Sequence, residues 1–314
     1  MIRYIFKRLI SLIPVLLGAT FIVFAIMFFT PGDPATLMLP QDATAADIEM
    51  MREFLGLNEP FLVQYRDFLF RLAQGDLGNS FRTGQSVVGL ILSRLPATMQ
   101  LATASLVVAI MIGLIAGIIA AVRQYTVWDG GAMVTALLGV SMPNFWLGLM
   151  LILFFAVFWA NRFGYTLLPA SGYGTLQHMI MPAVVLGTAH AAFITRITRS
   201  SMLEVLRQDY IRMAKAKGLS PFKVVFVHAL RNALMPVVTI IGLRFGVLLG
   251  GSVVTERIFA WPGIGRLLID AVRAQDYNVV QGIILTYAII FSLVTLGVDL
   301  LYAFIDPRVK VRYR

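Results

Sequence analysis

Six stretches of this chain are each apolar for long enough to cross a lipid bilayer as helix, and this constrains the fold before any motif is sought. A bilayer core about 30 Å thick needs about 20 apolar residues in helical form. The stretches run from Leu9 to Thr30, Thr98 to Ala121, Ala132 to Ala160, Met179 to Thr195, Pro236 to Thr255 and Val279 to Ile305. In lipid every backbone polar group must be paired within its own segment, so the expected fold class is an all-α integral membrane protein with six transmembrane helices. Composition agrees, with 59% hydrophobic residues and only 13% charged, against about 25% charged in soluble domains. Arg3, Lys7 and Arg8 before the first stretch resemble the head of a signal peptide. Its apolar run is too long and no small-x-small cleavage site follows, so it is expected to stay as a span. The third stretch is long enough to tilt or bend at Pro143, and the fourth is short before Arg196.

Six spans put both termini on one side. Residues 1–8, 122–131, 196–235 and 304–314 together carry 16 Lys and Arg with four acids, whereas 31–97, 161–178 and 256–278 carry nine with eleven. The positive-inside rule therefore predicts both termini in the cytoplasm. The net charge of +10 is mostly this topology, so nucleic acid is excluded as a partner and membrane lipid is the expected one. The resulting plan has an N-tail and first span over 1–30, a periplasmic insertion with two short helices over 31–97, and a five-span core over 98–305. A cytoplasmic loop over 196–235 interrupts the core, and 306–314 is a cytoplasmic tail.

The insertion carries helix signals. Thr44 with Asp47 three residues on predicts a capping box, Ile48, Met51 and Leu55 share a face, and Gly56 ends the helix. Asn58 is the expected cap of a second helix beginning near Pro60, with Phe61, Tyr65, Phe68 and Leu72 recurring at helical spacing until Gln74-Gly75-Asp76. The pair either caps the membrane domain or docks an external partner. In the loop over 196–235, Met202, Leu206, Tyr210 and Met213 form one apolar face, and Arg199, Arg207, Arg212, Lys215 and Lys217 lie elsewhere on the turn. Lys215 and Lys217 suit a helix C-terminus, Gly218 the left-handed residue after it, and Ser220-Pro221 the start of another helix. This helix, turn, helix is either an interfacial element or a lever gripped by a cytoplasmic partner.

Several chemistries lack their residues. Zero cysteines remove thiol nucleophiles and cysteine-held metals. His178, His190 and His228 have no HExxH spacing, and no Gly-Lys dipeptide offers a phosphate-cradling loop. No catalytic residue, bound metal or cofactor is therefore expected on this chain. A secondary carrier would need several ionisable groups at mid-membrane, and only Arg244 and Asp299 stand inside spans. Each costs roughly 2.5 to 3.5 kcal/mol if unpaired at a helix centre. At about 1.5 Å per residue both lie about 9 to 12 Å in from the cytoplasmic side, so they are expected to pair or to face one polar cavity.

Motifs in order along nearly the whole chain carry a resemblance. They are Pro31-Gly32-Asp33-Pro34, Leu55-Gly56-Leu57, Gly75-Asp76-Leu77-Gly78, Leu95-Pro96-Ala97-Thr98 and Ser141-Met142-Pro143-Asn144-Phe145-Trp146-Leu147-Gly148. Further on come Leu168-Pro169-Ala170-Ser171-Gly172-Tyr173-Gly174, Phe259-Ala260-Trp261-Pro262-Gly263-Ile264-Gly265 and Ile305-Asp306-Pro307-Arg308. The chain resembles the permease subunits of bacterial ABC importers of the dipeptide/oligopeptide/nickel family. That resemblance implies six transmembrane helices of the type I ABC importer kind in the inner membrane, forming half of a pore for peptides or peptide-like solutes such as dipeptides, oligopeptides or glutathione.

It also implies a second homologous permease, two ATPase subunits holding ATP and Mg, and a periplasmic or lipid-anchored solute-binding protein. The family's coupling pattern begins Glu-Ala-Ala and closes on Gly three residues later. Here the matching stretch reads Arg212-Met213-Ala214-Lys215-Ala216-Lys217-Gly218, with Arg212 in the place of the acid. The implied coupling residues are Tyr210, Arg212, Ala214, Lys215, Ala216, Gly218 and Leu219. Candidates for the pore or its gate are Ser141, Pro143, Asn144, Glu256, Trp261, Pro262 and Gly263. Nickel uptake by the same family is the nearest alternative, and an autonomous secondary carrier the one from another class.

Overall fold

The computed structural model describes residues 2–30, 32–40 and 42–305, except for the side chains of residues 2–5, 7–9, 37, 299 and 302–305. The chain is 79% helical with no strand among the described residues, the arrangement that lipid demands of backbone polar groups. The helices are α1 (Ile2–Phe29), α2 (Pro34–Met38), α3 (Ala45–Phe54), α4 (Phe61–Ala73), α5 (Val87–Val122), α6 (Val127–Ser141), α7 (Asn144–Leu151) and α8 (Trp159–Phe163). They continue with α9 (Leu176–Leu206), α10 (Asp209–Ala216), α11 (Leu230–Gly251), α12 (Val253–Ile258), α13 (Ile264–Arg273) and α14 (Tyr277–Ile305). A π-helical stretch over Ile152–Phe158 joins α7 to α8, and another over Lys223–Ala229 leads into α11.

Six helices are long and apolar enough to cross a membrane, as expected: Ile10–Phe29, Val87–Val122, Asn144–Phe163, Leu176–Leu206, Lys223–Gly251 and Tyr277–Val298. The third span differs from its expected 132–160. Its first part is the separate helix α6, which ends at Ser141, and the span starts at Asn144. The reason is local: Met142 and Pro143 are both extended, with ψ of 124° and 134°, as a residue before proline prefers. The second, fourth and fifth spans extend well beyond their apolar cores because the helices continue into polar flanks. Among these, α9 runs on to Leu206.

The chain divides into two compact units: Met1–Ala97 with Pro262–Ser292, and Thr98–Trp261 with the chain from Leu293. In the first, the spacing of Phe61, Tyr65 and Phe68 in α4 sets those rings against Phe21, Phe24 and Phe28 of α1, with centroids about 5 to 6 Å apart. Such pairs stabilise by about 0.5–1.5 kcal/mol each beyond area burial. The Tyr65 hydroxyl adds a hydrogen bond to the Leu17 carbonyl at 3.1 Å. Thr44 and Asp47 make the expected capping box on α3. The cap of α4 differs: Pro60 occupies it, and Asn58 instead donates to Glu49 at 2.8 Å. An apolar core joins Val87 and Ile91 of α5, Ile264, Leu267 and Ala271 of α13, and Val279, Val280 and Ile283 of α14.

In the second unit the helices approach through small residues, which lets backbones close in where lipid gives no hydrophobic drive. A Cβ on Gly113 would lie 2.6 Å from Ile194 Cβ, and one on Gly117 would lie 2.6 Å from Thr198 Cβ. Gly187 of α9 returns the contact, its side toward Val108 of α5. Ala109, Ala191, Ile194 and Val237 form the core between α5, α9 and α11.

Candidate functional site

A largely exposed bracket follows α9. Helix α9 ends at Leu206, the chain turns through Arg207 and Gln208, and α10 restarts with Gln208 as its cap. The turn resets the helical phase. Met202 is buried as expected, but Tyr210 and Met213 are exposed, and the inward positions of α10 are Ile211 and Ala214. These two pack with Ala121, Met202, Val224, Ala229 and Ala233, and Leu219 lies half-buried against the same cluster. The single apolar face expected across 202–213 is therefore split between two helices.

After α10 the chain reverses through Gly218, whose φ of +75° is left-handed. An L side chain there costs roughly 1–2 kcal/mol, which explains the glycine without any crowding, since a Cβ would meet nothing within 4 Å. Ser220 starts the next segment: its carbonyl accepts from Val224 N at 3.0 Å and its hydroxyl from Lys223 N at 3.4 Å. The Tyr210 hydroxyl accepts from Asn232 Nδ2 at 2.9 Å, tying α10 to α11. Arg212, Lys215, Ala216 and Lys217 all face solvent. Arg212 meets Asp209 at 3.4 Å, an exposed contact that contributes little. The bracket thus offers a cationic surface on which Tyr210 and Met213 are exposed.

Sequence reasoning missed the clamp beside it. Arg199 of α9 donates twice to Asp129 of α6, Nε to Oδ1 and Nη2 to Oδ2, both at 2.7 Å, and Tyr125 N donates to the same carboxylate at 3.0 Å. The hydrogen bonds from Arg199 hold the Asp129 carboxyl below its ordinary pKa. The available signal was one acid at the start of an apolar helix, which the topology count had absorbed as a loop charge.

The gate candidates separate. Glu256 lies in α12, fully buried, and accepts from Thr98 Oγ1 and Ser252 Oγ, each at 2.9 Å. Trp261 is 2% exposed and meets Tyr173 edge-on at 4.8 Å. The preceding Phe259 accepts from Gly172 N at 2.9 Å. Pro262 is half-buried, and buried Gly263 caps α13. Ser141 and Pro143 are exposed and Asn144 half-buried at the break between α6 and α7. The Ser141 hydroxyl donates to its own helix at Leu137 O, 2.9 Å away.

Arg244 lies half-buried in α11 with its guanidinium Cζ 3.4 Å from the centroid of the Phe193 ring. The side chain of Asp299 lies outside the described residues. Among the described residues no group of three or more His, Cys, Asp or Glu is placed to hold a metal ion.

A six-span helical protein with this bracket has the type I ABC importer fold. A chain of the MetNI methionine ABC transporter in an inward-facing crystal form superposes with a TM-score of 0.58 at 19% identity, over 69% of this chain and 96% of that one. A second inward-facing crystal form of MetNI gives 0.53 at 18% identity, over 70% and 97%. Residues 113–311 match the family "Binding-protein-dependent transport system inner membrane component". Residues 1–102 match the N-terminal membrane component of the same transport systems. The chain belongs to this family and is a multi-pass inner-membrane permease component.

It is 45% identical to the dipeptide transport system permease protein DppB of Alkalihalophilus pseudofirmus, over 99% of this chain and all of that one. Identity to the di/tripeptide transport system permease protein DppB of Pseudomonas aeruginosa is also 45%, over 99% of each. The glutathione transport system permease protein GsiC of Escherichia coli K12 is 44% identical, over 99% of this chain and all of that one.

Proposed function

We propose that this chain forms half of the translocation pathway of an ATP-driven importer for short peptides or peptide-like solutes. The observation that carries it is identity of 44–45% across 99% of the chain to permeases named for dipeptides, di/tripeptides and glutathione. Those names favour a peptide over nickel as the solute. A second permease completes the pore, two ATPase subunits hold ATP and Mg, and a periplasmic or lipid-anchored binding protein delivers the solute. Both termini face the cytoplasm and residues 31–97 face outward, as the positive-inside count supports.

In this reading α10 with the turn at Gly218 is the coupling element. An ATPase groove holds Tyr210, Arg212, Met213 and Lys215, while Ile211, Ala214 and Leu219 fasten the element to the membrane helices. Closure of the ATPases then moves α9 and α11 as levers. Ser141, Pro143 and Asn144, at a backbone break, are the proposed pore-lining set. Glu256 and Trp261, buried in the same unit, are proposed as packed frame rather than pore lining, and Pro262 and Gly263 as the turn into α13. Arg244 and Asp299 are proposed to pair between α11 and α14, which approach closely where a Cβ on Gly242 would run into Val298. Exchanging the two charges should restore assembly lost in either single reversal, and a dead exchange variant would refute the pairing.

The test of the subunit reading is purification of the tagged chain from its native membrane in mild detergent. A second permease and ATPase chains should accompany it, and the ATPases should be lost when residues 210–219 are disrupted. A solitary chain that transports in liposomes under an ion gradient would refute the reading in favour of a secondary carrier.

A further inference from the structure

The first unit contains a cavity of about 970 Å³ between the end of α1, the α3–α4 corner, the segment around Asp76 and the first turns of α14. This is the size of a small-molecule site, and such sites combine an apolar wall with a few convergent polar groups. Here Phe24, Met27 and Phe28 of α1 supply the wall. Two polar side chains one helical turn apart on α14, Tyr277 and Gln281, also line it.

Neither has a partner within the described protein. Gln281 is 8% exposed and its side-chain amide makes no hydrogen bond to a described residue, although buried amides are ordinarily satisfied. The Tyr277 hydroxyl is buried without a partner among the described residues, and Tyr277 lines this cavity. A buried hydroxyl without a partner is unfavourable, and with the unpartnered Gln281 amide one turn away on the same helix it indicates a site shaped for a ligand.

The charges at the rim define that ligand. Asp33 is committed to Arg52 at 2.8 Å and Asp67 to Arg66 at 2.8 Å. Glu53, Glu59 and Asp76 also line the cavity and take part in no ion pair among the described residues, and Arg71 is the lining cation in the same state. Three acids against one guanidinium favour an ammonium group, with one place for a carboxylate. The amide of Gln281 and the phenol of Tyr277 suit the peptide group between them.

We propose that this cavity binds a short zwitterionic peptide, its amino end toward the acidic rim and a peptide bond against Gln281 and Tyr277. The site rests on the peptide reading given above and adds to it a stopping place between the 31–97 insertion, α1 and α14, built from residues other than those assigned to the pore. Occupancy there would hold the solute by groups common to all short peptides, so side-chain identity would matter less than a free amino terminus.

The test uses the full chain in lipid nanodiscs, with dialanine, N-acetyl-dialanine and dialanine amide as calorimetric probes. Dialanine should bind, acetylation should weaken binding at least tenfold, and amidation should weaken it less. Tyr277→Phe and Gln281→Leu remove no existing protein hydrogen bond, so thermal unfolding should be unchanged or raised while dialanine binding falls at least fivefold. Equal binding of dialanine and its acetylated form, or binding untouched by both substitutions in folded protein, would overturn the proposal. Failure of this site is separable from failure of the peptide reading. If the complete transporter imports dialanine into proteoliposomes but the wild-type chain binds none, the cavity proposal alone falls. A complex that imports no peptide removes the premise and refutes both.

Discussion

Gly218 allows the coupling assignment to be tested through backbone strain alone. Its φ of +75° is unfavourable for any residue with a Cβ, yet a Cβ there would touch nothing within 4 Å. Substitutions therefore differ only in how readily their backbones adopt the left-handed region. Asparagine enters it with little penalty, alanine at roughly 1 kcal/mol, and a β-branched valine at roughly 2 kcal/mol or more. With 1.4 kcal/mol equal to a factor of ten, the ratio of correctly folded to misfolded bracket should fall about fivefold for Gly218→Ala and about thirtyfold for Gly218→Val. Gly218→Asn should remain near wild-type.

Because the strain acts at one turn between α10 and the π-helical stretch after it, membrane insertion should survive in all three. Peptide uptake and peptide-stimulated ATP hydrolysis by the assembled transporter are the measurements, with ATPase co-purification as the structural readout. The order Asn, Ala, Val should appear in uptake, with Val lowest. Wild-type uptake by Gly218→Val would refute the lever. A uniform loss in all three would show instead that the position tolerates no side chain because a partner lies against it.

Three further perturbations follow from the geometry. Gly117→Val places a Cβ 2.6 Å from Thr198 Cβ and 2.8 Å from the Thr195 carbonyl, so it should destabilise by about 1–3 kcal/mol through overpacking, read as a lower unfolding temperature in detergent. Asp129→Asn leaves Arg199 without its carboxylate. Breaking a buried pair costs about 3–5 kcal/mol, reduced here to about 2–3 kcal/mol because Arg199 is 25% exposed, and unfolding in detergent should again report it. Hydrogen bonds from the Thr44 side chain and then its backbone lower the Asp47 pKa, so their contribution to α3 is present above the ordinary carboxylate pKa and lost as pH falls through the lowered one. Amide exchange over 45–54 should accelerate below about pH 4, and Thr44→Ala, which removes the hydroxyl and keeps the backbone N–H, should weaken that pH dependence; an unchanged profile would refute the capping account.

What was legible in the sequence was local. Apolar length gave six spans, and short-range chemistry gave the Thr44 box, the Gly218 turn and the Ser220 start, because each depends on residues within one turn of helix. What was illegible required phase or distance. Asn58 has the right chemistry for a cap, but Pro60 begins the helix and Glu49 claims the amide. A phase read continuously from Met202 to Met213 pointed at the wrong inward residues, since the turn at 207–208 resets it and brings in Ile211 and Ala214. The π-helical stretches at 152–158 and 223–229 shift the face of everything after them in the same way. The clamp between Asp129 and Arg199 joins residues 70 apart, which no window of sequence can weigh.

The buried polar groups divide into two kinds, and the division predicts what each substitution should change. Asp129, Glu256 and Asp276 are buried carboxylates, and each accepts from at least two groups of its own unit. Asp276 takes Ser80 Oγ and Phe81 N, just as Glu256 takes Thr98 and Ser252. Satisfied networks of this kind stiffen a fold, so neutralising any of the three should lower the unfolding temperature and leave the preference among solutes unchanged. Tyr277 and Gln281 stand in the opposite relation to the protein: the Tyr277 hydroxyl is buried without a partner among the described residues, and the Gln281 amide lines the cavity beside it. Relieving them should cost no stability and should alter recognition instead. A variant at Glu256 that changed which solute is taken, with stability intact, would move that carboxylate from frame to pore and restore it as a gate.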